Sequence, residues 1–271
     1  MSANPVRVLS FGAGVQSTTL LYMMIHGELP KADHVIFSDT GWEPDEVYVH
    51  LHKMGALMEK HDIPFHIVSA GNIREDFMDG SKHFASMPLH VMSKDGKKGM
   101  IRRQCTGDYK IRPLMLKQRE LAGLKKGQRS KEHLLTTVIG ISYDESQRMR
   151  DPAFSWIVND YPLVDNKITR QDCLDWCEEK GYNKPPRSAC IGCPFKSKAE
   201  WRHLRTMPKE WADAVEFDTA LRTNDYVKNR FNGEAYLHSS LKPLDEVDLR
   251  SDDELGVMNL YDQECEGMCG I

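Results

Sequence analysis

Residues Val8-Leu9-Ser10-Phe11-Gly12-Ala13-Gly14-Val15-Gln16-Ser17-Thr18-Thr19-Leu20 read as a short apolar strand, a tight small-residue loop and the start of an apolar helix. A loop with so little side-chain bulk lets backbone N–H groups come close to an anion. The helix that follows adds its own unpaired N–H groups and the positive end of its dipole. Ser10 and Ser17 add hydroxyl donors. The segment is a candidate phosphate cradle, and an ordinary strand-to-helix turn is the alternative. Two common phosphate loops are excluded by spacing, because neither Gly-x-x-x-x-Gly-Lys-Ser/Thr nor Gly-x-Gly-x-x-Gly occurs here.

The pattern beyond this loop calls for a parallel sheet. Val6 to Phe11, His34 to Ser38 and Pro64 to Val68 are expected strands. Helices are expected over Ser17 to Ile25 and Asp45 to His61, the latter from the spacing of Val47, Leu51, Met54, Leu57 and Met58. That βαβαβ order needs helices on both sheet faces. Residues 71 to 104 are polar and poorly periodic and read as a long mobile loop. Further on, helices are expected over Arg112 to Leu124, Thr169 to Lys180, Ser197 to Leu204 and Lys209 to Leu221. A buried strand is expected over Leu134 to Ile141, and Trp156 to Leu163 reads as extended. The 271 residues divide in this reading into an α/β part, 1–165, and a helical part, 166–271, packed as one unit.

The loop resembles the PP-loop of the adenine-nucleotide alpha-hydrolase superfamily, roughly Ser-Phe-Ser-Gly-Gly-Lys-Asp-Ser. Ser10, Phe11, Gly14 and Ser17 match, Gly12 and Ala13 are small replacements, and Gln16 stands where the family has Asp. Asp39-Thr40-Gly41 falls where the second strand ends, and the superfamily has an equivalent Asp-Thr-Gly beside the nucleotide. Capping and turning into the next helix is the plainer role for those three residues. Gly140, Glu145, Ser146 and Arg148 match a segment of the phosphoadenosine phosphosulfate reductases, with Ser142 where Arg is usual. A planar, permanently charged Arg148 suits phosphate or sulfate; an exposed Glu145–Arg148 helical ion pair is the alternative.

Cysteine usage extends the resemblance. Cys105, Lys110, Pro113 and Leu114 fall in register with a segment of iron–sulfur adenylylsulfate reductases, with Thr106 in place of that family's second cysteine. Cys190-Ile191-Gly192-Cys193 matches the same family's C-x-x-C. The resemblance implies a 4Fe-4S cluster on Cys105, Cys190 and Cys193. Soft thiolates would also suit zinc, and a metal-free pair of thiols is the remaining reading. Cys173 and Cys177 share a helical face and read as core residues, or one of them as a fourth ligand. Cys265 and Cys269 near the C-terminus resemble the catalytic tail cysteine of sulfonucleotide reductases, although no histidine follows. They could equally pair with each other or be incidental.

Taken together the chain resembles the phosphoadenosine phosphosulfate reductase-like family, which implies a PP-loop α/β sandwich with a mainly parallel sheet, helices on both faces and a helical, cysteine-bearing C-terminal part. The nucleotide-binding set implied is Ser10, Phe11, Gly12, Gly14, Gln16, Ser17, Asp39, Thr40, Gly41, Gly140 and Glu145. Two activities follow. A sulfonucleotide reductase would use Lys110 and Arg148 on the anion and Cys265 or Cys269 on sulfur, with a thioredoxin-like reductant. An ATP-dependent 4Fe-4S sulfurtransferase, with Mg²⁺ on the phosphates, would modify DNA or tRNA. A non-catalytic nucleotide- or nucleic-acid-binding module, suggested by Gln16, is a third reading.

Charge bears on that choice. Net charge is −4, yet residues 94 to 131 carry thirteen Lys or Arg against three acids, which would attract a polyanion or simply solvate a face. Residues 243 to 266 carry nine acids against Arg250 alone. A mean hydropathy of −0.53 and the lack of a long apolar run point to a cytoplasmic protein without a membrane partner, and self-association is compatible with it.

Overall fold

The computed structural model describes residues 4–79, 86–251 and 254. In chain order its first elements are β1 (Val6–Ser10), α1 (Val15–Ile25), β2 (His34–Asp39), α2 (Asp45–Lys60), β3 (Phe65–Ser69), α3 (Ile73–Met78), β4 (His90–Ser93) and β5 (Lys98–Met100). A π-helical turn, Thr106–Ile111, leads into α4 (Arg112–Leu121). Then follow β6 (Leu135–Ile139), a 3-10 turn (Tyr143–Arg148), β7 (Ile157–Asp160), α5 (Pro162–Asp165) and α6 (Arg170–Glu179). The chain continues through α7 (Lys198–Arg205), α8 (Pro208–Thr223), α9 (Asp225–Lys228), β8 (Gly233–Tyr236) and a 3-10 turn (Leu244–Glu246). No helix among the described residues is long and apolar enough to cross a membrane.

The chain forms two compact units that are not consecutive stretches. The first takes residues up to Asp39, Asp45–Ala70 and Lys110–Ser188. The second takes Thr40–Pro44, Gly71–Tyr109 and the described residues from Ala189 onward.

The first unit holds a five-stranded sheet in the order β3-β2-β1-β6-β7, every neighbouring pair parallel. Successive side chains of a strand face opposite ways, and β1 shows the result. Leu9 enters one core with Phe11, Leu20 and Val35, while Val8 enters another with Ile36, Leu135 and Trp156. Both faces are therefore covered, as a parallel sheet requires. Helix α1 is buried at ten of its eleven residues, so it is apolar nearly all round and lies inside the unit rather than on it. Helix α6 packs here too, with the Cys173 and Cys177 thiols in the core and Thr19 Oγ1 hydrogen-bonded to the Cys173 carbonyl. Burial pushes the Cys173 thiol up to about 12, which keeps it an inert core group.

The second unit holds an antiparallel sheet, β5-β4-β8, over a core of Trp42, Phe77, Leu89, Ile191, Trp201 and Phe217. The expected long loop over residues 71 to 104 is thus corrected. It contains α3, β4 and β5, elements of six, four and three residues, too short to show a period. Asn72 starts α3 by accepting from the N–H groups of Arg74 and Glu75, a standard N-cap. The stretch expected to be extended over Trp156 to Leu163 is also divided. It holds β7 and then a helical turn begun by Pro162.

Within the first unit, His50 on α2 sits 3.0 Å from Thr18 Oγ1 with its ring stacked on Phe11. Burial pushes its imidazole down from 6.5 to about 4. The unfolded chain therefore binds a proton between these values that the folded chain refuses, and stability present in full above pH 6.5 is lost as pH falls toward 4. His50→Gln should flatten that slope. A melting series from pH 7 to pH 4 should show the variant losing about 2–4 °C less than the wild type for each kcal/mol of linkage removed; parallel curves would refute the assignment.

Candidate nucleotide cradle and cysteine turn

The cradle lies at the carboxyl end of β1 in the first unit, where open parallel sheets bind ligands. After Ser10 the chain turns through Ala13, which adopts a left-handed φ of 58°. Gly14 begins α1 without any side-chain cap. Ser17 Oγ accepts from the Gly12 N–H at 3.2 Å and donates to the Gly14 carbonyl at 3.3 Å, so the loop is braced from within. The first helical bond runs from the Thr18 N–H to the Gly14 carbonyl. The amides of Val15, Gln16 and Ser17 precede it and point out of the helix end.

The glycines here differ in kind. A Cβ built on Gly140, after β6, would lie 2.9 Å from Ser17 N and 3.1 Å from Ser17 Cα, so the first turn of α1 seats against the chain only because residue 140 has no side chain. A Cβ on Gly12 or Gly14 would meet protein no nearer than 3.9 and 3.8 Å, and neither residue has a left-handed φ. Packing and backbone conformation leave both positions open to alanine. Clearance on the concave side of the loop is the remaining reason for their smallness.

Beneath this turn is a buried polar network. Gln16 Nε2 donates to Glu145 Oε2 at 3.0 Å and lies 3.5 Å from Ser142 Oγ, while Gln16 Oε1 accepts from Arg170 Nη1 at 3.1 Å. Arg148 Nη1 pairs with Glu145 Oε2 at 2.5 Å. The network explains why Gln occupies the position the PP-loop pattern gives to Asp. An amide offers a donor to Glu145 and an acceptor to Arg170, whereas a carboxylate would face Glu145 with like charge. Arg148, Glu145, Gln16 and Arg170 together carry one surplus positive charge at the helix N-terminus. Arg170 carries no motif, lies 154 residues from Gln16 and escaped the sequence reading.

Other expected nucleotide residues have structural duties. Phe11 is buried and packs edge-on against Phe65; only its backbone belongs to the loop. Asp39 Oδ1 accepts from the Tyr48 hydroxyl of α2. Lys110 offers its carbonyl to Ser38 Oγ at 3.0 Å, which sets its backbone beside the end of β2. Thr40 and Gly41 belong to the second unit, where Gly41 turns with φ 71° and its carbonyl accepts from the Asn72 amide.

Thr40 leads to the cysteine turn. Its hydroxyl donates to Glu43 Oε1 at 3.0 Å and lies 3.3 Å from Cys190 Sγ, which is itself 3.7 Å from Glu43 Oε1. The Ile191 N–H donates to the Trp42 carbonyl. A Cβ on Gly192 would fall 2.1 Å from Trp42 Cη2, so the turn is shut flat against the indole. Glu43, buried at 2% exposure, was given no role in the sequence reading.

Cys105, Cys190 and Cys193 all fall in the second unit, and Cys105 and Cys190 border the same apolar core. They do not form the ligand set that the resemblance implied. Among the described residues no three His, Cys, Asp or Glu side chains gather closely enough to hold a metal ion, and the Cys190 thiol is occupied by Thr40 and Glu43. The arrangement does not fit a cluster. Cys173 and Cys177 lie in the core of the first unit, which also argues against either as a fourth ligand. Cys265 and Cys269 fall outside the described residues.

No family model and no curated protein matches the chain. Among solved structures it is similar to the U34-tRNA thiolase NcsA from Methanococcus maripaludis with its 4Fe-4S cluster, at 14% identity, a TM-score of 0.39, and coverage of 90% of this chain and 73% of that one. At that identity and score the likeness is one of chain course alone.

Two predictions separate cradle from scaffold. Gly140→Ala should overpack the α1 seat and cost about 1–3 kcal/mol of stability. Gly14→Ala should leave the melting temperature nearly unchanged yet weaken ATP binding about tenfold or more, the value of a charge-assisted hydrogen bond. Equal ATP binding by wild type and Gly14→Ala would refute the cradle. Gln16→Glu should cost about 1–3 kcal/mol by setting two carboxylates face to face, and adding Glu145→Gln should recover most of it in a double-mutant cycle.

Proposed function

We propose that the chain is an adenine-nucleotide-dependent enzyme that transfers sulfur to a nucleic acid, with ATP as the nucleotide. The observation that carries the reading is the pair Gly12 and Gly14, small without any demand from packing, at the mouth of an uncapped helix. The α1 amides and the surplus charge of Arg148 and Arg170 suit phosphates. MgATP would enter as substrate, its magnesium shielding phosphate charge.

The acceptor oxygen of the nucleic acid would attack the α-phosphate, releasing pyrophosphate and leaving an adenylated acceptor. A sulfur nucleophile would then displace AMP. In this reading the α1 amides and the two arginines stabilise the charge that builds on the phosphate oxygens.

Nucleic acid is favoured as acceptor by the charge of the second unit. Lys94, Lys97, Lys98 and Arg102 are exposed on and beside the β4–β5 hairpin. Arg103, next in the chain, stacks its guanidinium 5.4 Å from the centre of the Phe195 ring, two residues past Cys193. The same compact unit thus carries exposed basic residues and the cysteine turn. Sulfonucleotide reduction, the other reading, depends on Cys265 or Cys269.

The test is turnover under anaerobic conditions. ATP conversion to AMP and pyrophosphate should be stimulated by RNA or DNA, and the stimulation should fall steeply with salt, as phosphate neutralisation requires. Sulfite release from an adenylyl sulfate with thioredoxin would establish reduction instead. Nucleotide binding without either activity would make the chain a binding module.

A further inference from the structure

We propose that Cys190 and Cys193 are a redox-active dithiol that exchanges with small-molecule disulfides, Cys193 attacking first and Cys190 closing the ring with Glu43 as its proton acceptor. The proposal goes beyond the nucleotide-dependent reading and does not require it.

Three observations carry it. The Cys193 N–H donates to the Cys190 carbonyl at 3.0 Å, so the four residues close a tight turn. Such a turn holds its end Cα atoms within about 7 Å, the span a disulfide bridges. The turn is held from two sides, by Trp42 against Gly192 and by the His90 imidazole bonded to the Pro194 carbonyl. The third observation is the buried chain Cys190 Sγ, Thr40 Oγ1, Glu43 Oε1. Because the Thr40 hydroxyl donates to Glu43, it accepts from the Cys190 S–H. The same donor set does not gather around a metal, so thiol chemistry is what the turn itself supports.

The roles of the two sulfurs differ by environment. A carboxylate 3.7 Å from Cys190 Sγ disfavours the thiolate there, which leaves Cys193 as the first nucleophile. That carboxylate becomes useful in the second step. It takes the Cys190 proton, directly or through Thr40, as the sulfur attacks.

With glutathione disulfide as oxidant the sequence balances. The Cys193 thiolate attacks one sulfur, the glutathione S–S bond breaks, and one glutathione thiolate leaves and takes up the proton Cys193 released. Cys190 then attacks Cys193 Sγ, passing its proton to Glu43 and on to the second departing glutathione thiolate. One intramolecular S–S bond forms, two glutathione molecules are released, and two electrons pass from the dithiol to the oxidant.

The test uses the full chain, reduced, desalted anaerobically and exposed to glutathione redox mixtures, then acid-quenched, alkylated and mapped by peptide mass spectrometry. The expected result is a Cys190–Cys193 disulfide in the wild type, both thiols disappearing together as the oxidised fraction rises. Cys190→Ser should accumulate glutathione on Cys193. Cys193→Ser should take glutathione at Cys190 at least about tenfold more slowly. Glu43→Gln should let the Cys193 mixed disulfide build up, with closure slowed about 10²-fold at neutral pH, the low end for loss of a general base, and rising more steeply with pH. A disulfide from Cys105 to either residue would overturn the proposal, as would first attack by Cys190 or an unchanged closure rate in Glu43→Gln. Joint protection of Cys105, Cys190 and Cys193 by bound iron and sulfide in anaerobically purified protein would overturn it as well.

Discussion

The uncapped N-terminus of a buried helix is the constraint on which the first unit depends. Helix α1 lies within the unit, its residues buried from Val15 to Met24. Its opening amides have no capping side chain and are set at the end of a parallel strand. Leaving such donors unpaired is costly away from water, so the place calls for an anion or solvent. Gly140 permits the close seat, Ser17 fixes the loop, and the Gln16 network supplies a charge balance tilted toward an anion. Strand order, core and cradle are thus consequences of one helix being packed end-on to the carboxyl edge of the sheet.

The second unit is organised by a different contact. Where the chain leaves β2, the five residues Thr40–Pro44 join the second unit. There Trp42 forms a platform for Gly192 and Thr40 and Glu43 engage Cys190. A buried glutamate is expensive unless its oxygens are hydrogen-bonded, and the Thr40 hydroxyl and the Cys190 thiol meet part of that need. This makes Glu43 a structural partner of the thiol even before any chemistry is assigned to it.

Much of the first unit was legible in the sequence because its signals are local. The alternation of β1 and the 3.6-residue spacing of Val47, Leu51, Met54 and Met58 each lie within one element, and burial follows both patterns. The cradle was visible for the same reason, as a strand, a small-residue loop and a helix in succession. What escaped was short or distant. Helix α3 and strands β4 and β5 are too brief to carry a period, so Asn72 as an N-cap was the only local cue. Arg170 meets Gln16 across 154 positions, and Glu43 meets Cys190 across 147, pairings that only the fold creates. Cys173 and Cys177 showed a shared face, and the core reading of them held because that face is the one α6 turns to α1. The metal reading of Cys105, Cys190 and Cys193 rested on spacing alone, which fixes residue types and order along the chain but not the convergence of their sulfurs.

The central claim is that the α1 N-terminus holds nucleotide phosphates. The most direct measurement is a titration of isotope-labelled protein with MgATP, followed through backbone amide resonances. The account predicts that the largest shifts fall on the amides of Gly12 to Ser17 and that inorganic pyrophosphate competes for them. Saturable ATP binding that leaves those amides unmoved, or no binding at millimolar ATP, would contradict it.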